Sequence, residues 1–188
     1  MPENNAPEPL TLTPVGVVRS EIKAPMLTAT DQGLSLSDRL DKIREAHRRN
    51  RQAVAELVID PALEGVLDGV EGFSHILVLY WPHLVPSERR GLRRVHPMGR
   101  QDLPEQGIFA TCSPARPNPV LLTAVRLVER EGNVLRVRGL DAVDGSPIVD
   151  IKPYVHYALK IEGTTVPEWM ERIHRDMAED AGGREGNG

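Results

Sequence analysis

The sequence predicts a mainly β protein: a compact sheet curled into a barrel, with one helix inserted at about 35–52 and a second at about 166–178. Three features point there. Short apolar runs rich in β-branched residues recur along the chain. The turn dipeptides Gly132-Asn133 and Asp144-Gly145 separate them at close intervals. Helical periodicity is confined to two stretches. Closing such strands on each other removes the unpaired edges that an open sheet leaves.

Residues 1–9 are polar, carry three prolines and read as a disordered arm. Residues 10–180 read as one barrel domain and 181–188 as a flexible, Gly-rich tail. Leu12–Ser20 is the first strand, and Glu21–Gly33 a loop punctuated by Pro25 and Gly33. From Leu34 to Gln52, Leu36, Leu40, Ile43 and His47 recur at spacings of four, three and four, one face of a helix. Its other faces carry Arg39, Lys42, Arg44, Arg48, Arg49 and Arg51, as a solvated basic face or as one that leans on a partner subunit or on RNA.

Val54–Ile59 is a second strand. Gly72–Trp81, nearly all apolar, is expected as a central strand buried on both faces. Residues 82–107, rich in Pro, Gly and Arg, read as a long loop. Further strands are expected at Gly107–Thr111, Leu121–Glu129, Val134–Leu140 and Ile148–Ile151. Pro167 opens the last helix, whose stripe is Trp169, Ile173 and Met177.

A chain of 188 residues holds one domain, and 40% apolar with 27% charged residues is an ordinary globular balance. A formal charge of −4 gives no overall attraction to nucleic acid or anionic lipid, so only a local patch can supply one. Lone Cys112, read as a small buried hydrophobe, excludes an internal disulfide and a multi-cysteine zinc site. The start lacks the basic and apolar segments of a secretory signal, and no apolar run reaches a membrane span, so a cytoplasmic protein is expected. The six histidines show no metal-binding spacing, and no metal is expected. GxGxxG, GxxxxGK[ST] and GxSxG are all absent, which removes support for the usual dinucleotide, P-loop and serine-hydrolase sites.

Four clusters remain. In Cys112-Ser113-Pro114-Ala115-Arg116-Pro117-Asn118-Pro119 three prolines stiffen the backbone, so Ser113, Arg116 and Asn118 stand in a fixed array. Arginine there offers planar donors to a carboxylate or phosphate. In Leu140–Tyr154 the Asp144-Gly145 turn exposes backbone groups able to read an adenine edge. Asp150, Lys152 and Tyr154 alternate along a strand, and are expected on one face as one polar network or as an ion pair with a core tyrosine. His75, entering an apolar strand, reads as a hydrogen-bonded core residue. Glu88–Arg100 holds five arginines against one glutamate, a credible contact for a phosphate backbone.

Taken together, these segments resemble the TrmO/TsaA-like family. The resemblance runs through Val15–Ser20, Asp31-Gln32-Gly33, Leu67–Tyr80, Gly107–Pro119 (GIFATCSPARPNP) and Leu140–Val155 (LDAVDGSPIVDIKPYV), in that order. It implies a dimerising β-barrel that binds S-adenosylmethionine and methylates N6-threonylcarbamoyladenosine beside the anticodon of tRNA. Carried over, the cofactor contacts are Gln32, Gly33, His83, Arg116, Ala124, Asp144, Gly145, Ser146 and Pro147, with Asn118 added from the proline loop. Asp150 and Tyr154 are the candidate proton acceptors; Arg93, Arg94, Arg100 and Lys152 are the candidate RNA contacts.

The chain departs from the family pattern at Cys112, where the family has arginine, at Val120-Leu121, where it has Ile-Gly, and in the helix at 34–52. Those departures bear on the acceptor. A small-molecule acceptor on the same scaffold, or a non-catalytic S-adenosylmethionine sensor, are the alternatives.

Overall fold

The computed structural model describes residues 8–25 and 36–178. Six strands close into a barrel. In chain order they are β1 (Gly16–Arg19), β2 (Val54–Ile59), β3 (His75–Tyr80), β6 (Leu121–Glu131), β7 (Val134–Arg138) and β8 (Pro147–Pro153). Around the barrel the order is β1-β2-β7-β6-β3-β8, with β8 returning to β1, and all the pairs are antiparallel. A separate two-stranded ribbon joins β4 (Arg94–Val95) to β5 (Gln106–Gly107). The helices are α1 (Leu36–Gln52), the short α2 (His156–Leu159) and α3 (Glu168–Ala178).

Alternation drives closure. Every second residue points inward: Val18; Ala55, Leu57 and Ile59; Ile76, Val78 and Tyr80; Val125; Leu135 and Val137; and Ile148. All are buried in one core. Gly16 lets β1 come close to β2, since a Cβ there would stand 2.3 Å from the Val58 carbonyl oxygen. Gly132, at φ 58, turns the β6–β7 hairpin.

The helix expected at about 35–52 forms, and it sits in the crossover between two strands that pair directly, β1 and β2. Its Ile43 and Asn50 are buried, and it packs on α3. The apolar stripe of α3 falls where periodicity puts it, with Ile173 buried and Trp169 and Met177 half-buried.

Several expectations are corrected. The run at 72–81 is not buried on both faces: Ile76, Val78 and Tyr80 point in, while Leu77 and Leu79 are half-buried on the outer wall. A barrel strand has one face for the core, and its apolar outer residues mimic a doubly buried strand. Residues 82–107 are not structureless; they hold the β4–β5 ribbon and tight turns at Ser87–Gly91 and Pro97–Gly99. The strand expected at Gly107–Thr111 ends at Gly107 and passes into a turn at Ile108–Ala110. Cys112 is exposed rather than buried. His75 is exposed and bonded to the Ser74 hydroxyl at 2.9 Å, outside the core.

Among the described residues, no helix is long and apolar enough to cross a membrane, and no group of three or more His, Cys, Asp or Glu is placed to hold a metal ion.

Candidate functional site at the barrel mouth

Strand β3 organises the site. Its last residue, Tyr80, lies opposite Leu121 on one side and Ile148 on the other. The chain entering β6 is the proline loop, and the chain entering β8 is the Asp-Gly turn. Both therefore emerge at the same barrel end and flank the exit of β3 at Trp81-Pro82-His83. Two strand spacings, roughly 10 Å, separate their roots.

The Asp144-Gly145 turn is stitched to β1. Asp144 N–H donates to the Ile22 carbonyl at 2.7 Å, Gly145 N–H to Val18 at 2.8 Å, and Val18 N–H to Ser146 at 2.9 Å. The Asp144 carboxylate accepts from Ser20 N–H at 2.9 Å and from Lys23 Nζ at 2.8 Å. The Lys23 hydrogen bond, then the Ser20 N–H, holds this carboxyl below its ordinary range. Its side chain thus fixes the turn.

Gly145 has φ 79, a left-handed conformation that a side chain resists. A Cβ there would face the His83 ring at 3.6 Å, and Ser146 Oγ lies 3.3 Å from His83 Nδ1. Ser146 is buried and Pro147 half-buried. A Cβ at Gly145 would thus meet the imidazole in ordinary contact, and without one the Gly145 backbone stands bare beside His83.

The proline loop is braced internally. Arg116 Nε donates to the Ser113 carbonyl at 2.9 Å and its Nη2 to that of Thr111. Thr111 Oγ1 donates to Ile108 at 2.9 Å, and buried Pro119 anchors the loop root. The Arg116 guanidinium is thereby turned onto its own loop, while the Asn118 side chain is exposed.

Other sequence candidates scatter. Ala124 and Lys152 both pair with Leu77, so they lie on the outer wall of the barrel. Lys152 Nζ binds Asp150 Oδ2 at 2.6 Å on that wall. Tyr154 is not part of that network: its N–H bonds the His75 carbonyl at the far end of β3, the full strand away from the mouth. The strand ends at Pro153, which breaks the alternation that would have put the tyrosine beside Lys152.

Arg93 is exposed, and Arg94 is paired with Glu105 at 2.8 Å. Arg100 is no RNA contact; its side chain is 1% exposed and holds Asp102 at 2.7 Å and Asp176 at 2.5 Å. Gln32 and Gly33 lie outside the described residues.

The sequence reading missed Asp141. Its Oδ1 accepts from Tyr80 Oη at 2.8 Å and from Thr123 Oγ1 at 2.7 Å. Both donors point inward from neighbouring strands, so this exposed carboxylate lies across the mouth. Burial, then the nearby Asp141 charge, raises the Tyr80 phenol above its ordinary value and keeps it a donor. The signal was present as the first aspartate of Asp-x-x-Asp-Gly, overshadowed by the turn itself.

The same barrel is found in solved structures. A crystal structure of TrmO from Pseudomonas aeruginosa superposes with a TM-score of 0.61 at 25% identity, over 88% of this chain and 63% of that one. This protein is an S-adenosylmethionine-dependent methyltransferase on a closed β-barrel. It belongs to the TrmO family: the model of the tRNA-methyltransferase O N-terminal domain matches residues 41–159, taking in most of α1. A probable S-adenosyl-L-methionine-binding protein of Methanothermobacter thermautotrophicus is 45% identical over 145 residues, 77% of this chain and 90% of that one. The Escherichia coli tRNA (adenine(37)-N6)-methyltransferase is 39% identical over 95 residues, 48% of this chain but only 40% of that enzyme.

Proposed function

We propose that the protein N-methylates N6-threonylcarbamoyladenosine beside the tRNA anticodon, as a homodimer in the cytoplasm. The observation that carries this reading is the convergence of the two motif loops on either side of the β3 exit, with the arginine-bearing segment 88–100 leading into the proline loop through β5. The E. coli relative's name supports the acceptor. For the dimer, support comes from exposed apolar side chains on the outer wall and beyond, such as Leu122 at 60%, Ile161 at 73% and Tyr157 at 89%.

When bound, S-adenosylmethionine supplies an electrophilic methyl group on a sulfonium. The chain's own residues then position and receive. The Gly145 backbone, His83, Ser146 and Pro147, with Arg116 and Asn118 across β3, would hold the nucleoside and the amino-acid portion, joined by Gln32 and Gly33, whereas Ala124 on the outer wall falls outside the set. The acceptor nitrogen loses a proton on methylation, and the exposed Asp141, held by Tyr80 and Thr123, is the carboxylate best placed to take it. Asp150 is held by Lys152 on the wall, and Tyr154 is at the far end. A general base contributes about 10²–10⁴-fold. Asp141→Asn is therefore expected to cost turnover on that scale, whereas Asp150→Asn and Tyr154→Phe stay within about tenfold. Single-turnover rates at saturating cofactor check all three.

A small-molecule acceptor is the second reading. The acidic net charge favours it, as does the diversion of Arg94 and Arg100 into ion pairs. Charge reversal separates the two. With Arg93→Glu and Arg94→Glu together, the KM for tRNA is expected to rise at least about tenfold through lost phosphate attraction, with S-adenosylmethionine affinity unchanged. Unaltered tRNA kinetics would favour the small acceptor.

A further inference from the structure

Between the β4–β5 ribbon and the proline loop runs an open groove of about 550 Å³, lined by Arg90, Leu92, Arg93, Ile108, Phe109 and Pro117, among others. Phe109 is 79% exposed, unusual for a ring of its size, and Leu92 is 41% exposed. Folding does not need this ring: the core-facing residue of the same turn is its neighbour Ile108, 5% exposed.

The rim is cationic. Arg89 and Arg93 are exposed with no carboxylate partner in ion-pair range among the described residues. Arg90 lies with its guanidinium 5.1 Å from the centre of the Trp81 ring, and its buried Nε has no hydrogen-bond partner among the described residues. An exposed aromatic face with the exposed Arg93 and the Arg90 guanidinium in one groove, and Arg89 adjacent in the same turn, matches one chemistry: an unpaired nucleobase stacked on the ring, with its flanking phosphates on the arginines.

We propose that this groove is a docking site for one unpaired loop nucleotide of the RNA acceptor, with Phe109 as its stacking platform. The inference rests on the tRNA reading above and deepens it. Thr111 leads directly from Phe109 into the proline loop, so a base held here places its neighbour toward the barrel mouth. The subsite thereby sets which adenosine of a loop is presented. Phe109 is a specificity residue in this scheme, remote from the reacting atoms.

The test uses the full chain and a 17-nucleotide anticodon stem-loop carrying 2-aminopurine in turn at each loop position other than the target adenosine. With the wild-type protein, fluorescence at one position is expected to quench on binding. In Phe109→Ala the quench disappears and affinity falls about 10–100-fold, the range of one base–aromatic stack. Phe109→Trp restores both, and S-adenosylmethionine affinity is the same in all three.

Absence of quenching at every position, or equal stem-loop affinity in Phe109→Ala, overturns the proposal. So does loss of cofactor binding in that variant, which would assign the ring to the cofactor pocket, or a change in oligomeric state, which would make the groove a subunit interface. Stem-loop binding with the predicted quench but no methyl transfer would leave the subsite standing and sink the methyl-acceptor reading. Turnover of tRNA undiminished in Phe109→Ala would do the reverse.

Discussion

Substituting Gly145 with valine is expected to lower affinity for S-adenosylmethionine on the order of 100-fold while the barrel stays folded. At φ 79 a β-branched side chain is held against its own backbone, at a cost of about 1–3 kcal/mol. The turn escapes that strain by leaving its conformation. The hydrogen bonds to Val18 and Ile22 are then lost, and the nucleoside cradle beside His83 has to be rebuilt at the moment of binding. Strain near the upper end of that range corresponds to about two decades in affinity. Calorimetric titration of both proteins reads it, with circular dichroism confirming the fold. Gly145→Ala is expected to fall between the two, because the space beside His83 admits a methyl group and only the backbone angle resists it.

The other large effect is on stability. Arg100→Met is expected to cost about 3 kcal/mol, roughly 6–12 °C in Tm for a chain of this size. The guanidinium bridges Asp102 and Asp176, with Arg172 at the outer edge of Asp102. It ties the loop after β4 to α3, and α3 in turn receives Arg44 of α1 through the Asp176 carbonyl. Removing it leaves two partly buried carboxylates facing each other.

The pH dependence follows. The Arg100 hydrogen bond holds the Asp102 carboxyl below its ordinary range. A depressed carboxyl stabilises the fold above its unfolded pKa, near 4, and that stability is lost as pH falls through the lowered folded value. Wild type is therefore expected to lose stability steeply below about pH 4. Arg100→Met starts lower and loses less over the same interval. Urea midpoints at pH 7 and pH 3 check the sign.

Much of the barrel was legible because a two-residue period with turn signals has one physical meaning. Gly132-Asn133 and Asp144-Gly145 mark where strands end, and Leu135 and Val137 mark which way they face. What escaped depends on partners distant in sequence. Arg100 reads as one more cation of a basic run until Asp176, 76 residues on, is seen against it. Tyr154 reads as the third member of an alternating row until Pro153 ends the strand. Asp141 gains its place only through Tyr80 and Thr123, which share no local pattern with it. Cys112 looks like core by residue type and lies exposed because the prolines around it keep the segment out of the sheet.

The site was legible in part for the same reason. Short motifs carry their own backbone geometry, as the turn at 144–147 does. The arrangement of one motif against another, across β3, is a property of strand order that no local pattern contains.

The most direct test of the barrel-mouth assignment is photolabelling with an azido-adenosine analogue of S-adenosylmethionine, followed by peptide mapping. Adducts are expected within 81–84, 111–119 and 141–147, and to vanish with excess unlabelled cofactor. Competable adducts confined to the opposite end of β3, at 72–75 and 153–157, would show that the cofactor binds elsewhere on this fold.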